Sequence, residues 1–316
     1  MREWQEDQIL CELVESTRHS LPHSGGPELP AIFEAPNGAA DAVWVSAMGD
    51  ANDRVSTARR TGGWVGLGLD AVAKLINQVW ARGAVPTALH ATLVLMSPEA
   101  EVREQLVLGI SRSCRADSVA ISGLQTVATG NAGDDHDLSL VLLGTSTRSS
   151  ILDGSQVRSG DLLVGLASQG LHGDGHRAAW AIADARGWGA DYQVPGTDST
   201  FATLMNARHR TYLGAVQRAL KEQWLHALVP VGCGGLTGSL TRWLPASVGF
   251  DLNHDWDLPP LQLALQHASG MSRQQFSCEF NSGVGMVAVV PPERVPGFVE
   301  WIQLWNEGAW VLGRIT

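Results

Sequence analysis

An α/β (α+β) protein is the fold class with which the sequence agrees: short apolar runs of strand length alternate with segments of helical period along most of its 316 residues. Three stretches display the alternation. Leu162 to Ala167 is a continuous apolar run short enough for a buried strand. A loop with Gly170, Gly173 and Gly175 follows, then an Ala-rich segment, Arg177 to Arg186, stopped by Gly187. Leu67 to Trp80 carries Val72, Leu75, Ile76 and Val79 at helical spacing and ends before Gly83 and Pro86. His226 to Pro230 is a third, strand-like run that enters a second loop holding Gly232, Gly234, Gly235 and Gly238. The alternation agrees with the class without fixing one fold.

The other elements follow in order. Trp4 to Arg18 reads as a helix on its stripe of Ile9, Leu10, Leu13 and Val14, and Leu21 to Asn37, with Pro22, Pro27, Pro30 and Pro36, as a connector. Ala42 to Ala47 reads as a strand leading into the polar turn Met48 to Arg54. Thr87 to Met96 is a strand, Pro98 to Arg112 a helix, Ser118 to Ser122 and Leu138 to Gly144 strands. Further on, Thr203 to Leu220, Leu258 to Ala268 and Val295 to Asn306 read as helices, and Ser247 to Leu252 and Gly283 to Val290 as strands.

Composition narrows the function classes. A formal net charge of -10 argues against a nucleic-acid surface, since a polyanion partner needs a basic face. No apolar run reaches the ~18 residues of a membrane span, and Met1 to Asp7 is polar and acidic rather than a signal segment. A soluble cytoplasmic protein is therefore expected. Cys11, Cys114, Cys233 and Cys278 are scattered without a C-x-x-C pair, which suggests neither a zinc site nor a disulfide frame.

Chemistry concentrates in the glycine loops. Glycines let backbone N–H groups crowd around an anion, and a following helix start adds partial positive charge, so the loop Ser168 to His176 reads as a phosphate cradle or as an ordinary strand-to-helix turn. His172, Asp174 and His176 have the types of a metal triad, yet alternate loop residues need not converge; structural or phosphate-contacting roles are the other option. Asp134, Asp135 and Asp137 form an acidic cluster, either solvated or metal-binding. Arg210 suits bidentate phosphate contact or a surface ion pair.

Four ordered blocks carry a family resemblance. They are Gly66 to Asp70 with Asn77 and Arg82-Gly83-Ala84-Val85-Pro86; Ile151-Leu152-Asp153-Gly154-Ser155 with the loop to His176; Pro230 to Leu236 with Arg242-Trp243-Leu244-Pro245; and Phe280-Asn281-Ser282-Gly283-Val284-Gly285-Met286 with Gly308 to Gly313. Together they resemble the aminoimidazole ribonucleotide synthase (phosphoribosylformylglycinamidine cyclo-ligase) family over roughly Val43 to Ile315. The resemblance implies a two-domain fold: 1–148 for nucleotide binding and dimerisation through its sheet, and 149–316 as an α/β substrate domain. It implies a homodimer, ATP and Mg2+ as cofactors, and a ribonucleotide or amide substrate whose formyl or amide oxygen is phosphorylated before an imidazole-type ring closes.

Carried over position by position, the resemblance places Asp50, Asn52, Asp53, Arg54, Asp70, Asn77 and Gln125 at ATP, with Asp50 and Asp53 as magnesium ligands. Gly170, Gly173, Gly175, Arg210, Gly234 and Gly235 would hold substrate, and His172, Asp174 and Asn281 would be catalytic. The sequence departs from the pattern where Gly49, Gln78 and Gln125 replace carboxylates and Pro230 replaces a histidine. Those changes suggest a divergent paralogue with an altered substrate. The alternative is a non-catalytic dimeric scaffold or regulatory subunit, with a protein partner. Kinase chemistry, as in thiamine-monophosphate kinase and selenophosphate synthetase of the wider superfamily, is a third possibility.

Overall fold

A computed structural model describes residues 29–35, 41–96, 100–128, 136–172 and 174–316. The helix expected over Trp4 to Arg18, most of the Leu21 to Asn37 connector, and Asp134, Asp135 and Gly173 lie outside the described residues, as does the side chain of Asn52.

The first sheet has the order β1 (Ala31–Glu34), β2 (Ala42–Asp50), β5 (Asp137–Thr147), β3 (Val85–Leu95), β4 (Ala120–Ala128). Its pairs are antiparallel except β3 with β4. Alternation along β2 buries Val43, Val45 and Ala47 on one face. Against that face pack α2 (Trp64–Ala81) and α3 (Ala100–Ala116), which contribute Val72, Leu75, Ile76, Val79, Leu106 and Ile110. Gly68 and Gly109 set the closeness of the two helices: a Cβ on Gly109 would stand 2.2 Å from the Val65 carbonyl oxygen, and one on Gly68 2.5 Å from that of Leu106. A short 3-10 turn, Asn52–Arg54, and α1 (Val55–Thr61) link β2 to α2.

The second sheet, wholly antiparallel, runs β7 (Ala227–Pro230), β9 (Val284–Val290), β6 (Leu162–Ala167), β10 (Ala309–Ile315), β8 (Phe250–Leu252). All seven residues of β9 are buried, as expected of an inner strand covered on both faces. Around the sheet lie α4 (His176–Arg186), α5 (Phe201–Met205), α6 (Leu213–Lys221), α7 (Gly235–Trp243), α8 (Pro260–Ser269), α9 (Arg273–Glu279) and α10 (Val295–Leu304). Antiparallel pairing in both sheets resolves the class to α+β.

Several expectations need correction. The single helix expected over Thr203 to Leu220 is broken into α5 and α6, because side chains of α2 capture the backbone between them: Asp70 Oδ1 accepts the His209 N–H at 2.9 Å, and Asn77 accepts the Tyr212 N–H at 3.1 Å while donating to the Arg210 carbonyl at 2.8 Å. Part of the connector is a strand, β1. The strand placed at Ser118 to Ser122 runs on to Ala128 as β4, and Ser247 to Leu252 shortens to the three residues of β8.

Candidate functional site

Helix α2 lies against both sheets, touching β2, β5 and β3 of the first and β7 of the second. Its spacing puts Asp70, Lys74 and the adjacent Asn77 and Gln78 on one side, about a turn between successive positions. What these four meet decides the chemistry of the interior.

Asp70 meets Arg54. Their oxygen and nitrogen are 2.9 Å apart and each residue is only 2% exposed. Arg54 also donates to the carbonyls of Met205 and Ala207, at 3.3 and 3.4 Å. Burial pushes the Asp70 carboxyl up to about 6, with the Arg54 charge and the His209 N–H pulling the other way; burial likewise lowers Arg54 against the pull of Asp70. The two groups expected at ATP therefore form a closed pair that holds the segment 205–210 against α2.

Three buried histidines surround this pair. His209 shares a contact of 3.1 Å with Asn77 Nδ2 through its Nε2 and stacks on His172, with ring centroids 4.2 Å apart. His172 adopts φ +60° and accepts the Gln169 N–H at its own Nε2. Thr57 Oγ1 takes a hydrogen bond from Trp180 Nε1 at 2.8 Å and shares a second, of 2.9 Å, with His176 Nδ1. Burial lowers all three, His172 to about 3, so the cluster is neutral at pH 7.

Gly285 presses on the same cluster. A Cβ there would stand 2.0 Å from the Tyr212 hydroxyl oxygen and 2.3 Å from His172 Cε1, and the Tyr212 hydroxyl is fixed by donating to the Ala167 carbonyl at 2.7 Å. Gly285→Ala is expected to lower stability by about 1–3 kcal/mol through overpacking. An unchanged urea midpoint for the variant would refute the close packing described.

The first glycine loop is closed by the chain's own anion. Asp53 Oδ2 accepts the Arg177 N–H at 3.0 Å, at the start of α4, and the N–H groups of Gly175 and His176 also lower its carboxyl against a larger upward push from burial. Asn281 holds the other end of this loop, donating to the Gly170 carbonyl at 2.9 Å and accepting from Gln262 at 2.6 Å. Arg210 faces Glu307, 3.5 Å away. Gly175 thus meets Asp53 and Gly170 meets Asn281, whereas Gln125 lies on the exposed strand β4.

A cavity of about 190 Å³ opens between the sheets, lined by Asp50, Lys74, Gln78, His209, Cys233 and Arg242 among others. Lys74 Nζ stands 3.7 Å from Asp174 Oδ2, and Gly232 backs closely on that same oxygen. Asp50 is the carboxylate of β2 that reaches the cavity; a side chain at Gly49 would instead run into Leu75, 3.0 Å away. At ~190 Å³ the space falls below the ~300–1,000 Å³ of a pocket that swallows a whole small molecule, and fits a phosphoryl-sized group. A larger hollow of about 410 Å³, against Trp188, Tyr192 and Leu263, shares no lining residue with this cavity. Sequence reasoning missed Lys74, His209 and Arg242; the helical spacing that paired Asp70 with Asn77 also carried Lys74.

Residues 40–146 match the family model described as AIR synthase related protein, N-terminal domain, and residues 158–316 the one described as AIR synthase related protein, C-terminal domain. The chain belongs to the AIR synthase related family. Among relatives of this AIR synthase related chain is the phosphoribosylformylglycinamidine cyclo-ligase of Oleidesulfovibrio alaskensis, 27% identical over 297 residues, 93% of this chain and 81% of the relative. The enzyme of the same name from Citrifermentans bemidjiense is 30% identical over 254 residues, 79% of this chain and 73% of the relative. A solved structure, AaThiL complexed with AMPPCP and TMP, has the same fold, with a TM-score of 0.69 at 15% identity over 98% of this chain and 88% of that one.

Proposed function

We propose that this AIR synthase related chain is an ATP-dependent enzyme of cyclo-ligase type acting on a ribonucleotide or amide substrate. The observation that carries the proposal is the phosphoryl-sized cavity between the sheets, with Lys74 and Arg242 among its walls and the start of α7 at its edge. The relatives' name and the AMPPCP of the similar structure support it. In the proposed reaction the γ-phosphoryl group passes to an amide or formyl oxygen and ADP leaves. A substrate nitrogen then attacks the activated carbon and phosphate departs. Lys74, Arg242 and the backbone of Gly232 and Cys233 would orient and neutralise the transferring group, which is most of what a protein contributes to phosphoryl transfer.

A second copy would complete the molecule. Ile121, Leu124 and Val127 on β4, with Met48 and Val85, are large apolar side chains left exposed on the first sheet. The alternative, a non-catalytic scaffold, is favoured by one observation: Asp53, Arg54, Asp70, Asn77 and Asn281 are engaged with other parts of the chain. Calorimetric titration of the full chain with AMPPCP, with and without magnesium, separates the two. Binding with Kd on the order of micromolar is expected. An absence of binding in both conditions would overturn the enzymatic proposal in favour of the scaffold.

A further inference from the structure

The family resemblance implies a divalent cation, and the residues of the cavity do not fit one. Magnesium demands a near-octahedral set of oxygens. Among the described residues, no three His, Cys, Asp or Glu side chains come together as a metal site. The cavity wall offers the Asp50 carboxylate and, where the family carries an aspartate, the Gln78 amide. Into the same wall, one turn before Gln78, α2 sends the Lys74 ammonium.

We propose that Lys74 takes the place of the divalent cation, so that a polyphosphate ligand binds in this cleft without magnesium. The inference rests on the ATP-dependent reading above. Lys74 is 19% exposed and 3.7 Å from Asp174, the one carboxylate found within ion-pair distance of it among the described residues. An ammonium is a compact point charge with three donors, and serves phosphate oxygens without imposing a coordination geometry. Gln78 is consistent with the exchange: a carboxylate one turn along the helix would add to Asp174 in neutralising the ammonium, whereas an amide adds no further negative charge. Arg242 supplies a second cation on the opposite wall, its guanidinium anchored on the Cys233 carbonyl. A divalent ion placed here would have to compete with the Lys74 ammonium and the Arg242 guanidinium for the carboxylates of Asp50 and Asp174.

The test is calorimetric titration of the full chain with AMPPCP in EDTA and in magnesium, for the unaltered protein, Lys74→Gln and Gln78→Asp, with urea midpoints confirming that each variant folds. The unaltered protein is expected to bind with a Kd in EDTA within about threefold of that in magnesium, and Lys74→Gln to bind at least about tenfold more weakly in EDTA. Gln78→Asp, by engaging the ammonium, is expected to weaken binding in EDTA and to restore a gain on adding magnesium. Binding by the unaltered protein only in magnesium would overturn this inference while leaving ATP use standing, as would a folded Lys74→Gln of unchanged affinity. Binding in neither condition would overturn the ATP-dependent reading itself, and this inference with it.

Discussion

Asp70→Asn is expected to destabilise the protein by about 3–5 kcal/mol, the cost of leaving one partner of a buried ion pair uncompensated. The substitution keeps an acceptor for the His209 N–H, so the loss isolates the charge. Arg54 is 2% exposed, and its other contacts are to the carbonyls of Met205 and Ala207, which satisfy donors without neutralising the guanidinium. Arg54→Met should cost a comparable amount, since it leaves the Asp70 carboxylate buried and unpaired. The double variant Arg54→Met with Asp70→Leu is the informative case, because removing both charges also removes their desolvation penalty. It is expected to be more stable than Asp70→Asn alone, though it still forfeits the hold on 205–210. Urea unfolding of all three measures this, with equal m-values as the check that the denatured states compare. A loss under about 1 kcal/mol for Asp70→Asn would show that water reaches the pair and that it does not anchor the interior.

The pair also shows where sequence stops being informative. Helix α2 was legible, because a run with Val72, Leu75, Ile76 and Val79 at helical spacing has one outcome whatever surrounds it. The strand, glycine loop and helix from Leu162 to Arg186 were legible for the same local reason. What Asp70 and Asn77 face was not, since their partners lie at 54 and at 209–212 and only the tertiary fold brings them together. That same capture breaks the helix that 203–220 would otherwise form, so long-range contacts decide the secondary structure there. Glycines and a helix start leave the first glycine loop open between a phosphate cradle and an ordinary turn, and the group that meets the helix start is Asp53, supplied from 124 positions earlier in the chain. Lys74 went unnoticed because it matches no motif of the family; it stands out only when the charges on one side of α2 are counted.

Acid is expected to unfold this protein unusually early, through His172, His176 and His209. Burial holds each below the ordinary value of about 6.5, His172 as low as about 3, so over that interval the unfolded chain binds protons that the folded chain refuses. Stability from these groups is complete above about pH 7.5 and falls as the pH drops below 6.5, by about 1.4 kcal/mol per pH unit for each histidine. Carboxyls raised by burial work in the opposite sense. Asp70, at about 6 in the fold, takes up a proton there that an unfolded aspartate takes up only near 3.8, and so returns part of the loss between those values. Burial raises Asp53, Asp117, Asp174 and Glu307 as well, so the net decline between pH 6 and pH 5 is smaller than the three histidines alone would give. Urea midpoints at pH 7.5, 6 and 5 would record it, and midpoints that stay level would refute the buried, neutral state of the cluster. His176→Gln supplies the control. A glutamine can still share a hydrogen bond with the Thr57 hydroxyl while carrying no titrating ring, so the variant should start less stable at pH 7.5 yet lose stability with a slope smaller by about one proton.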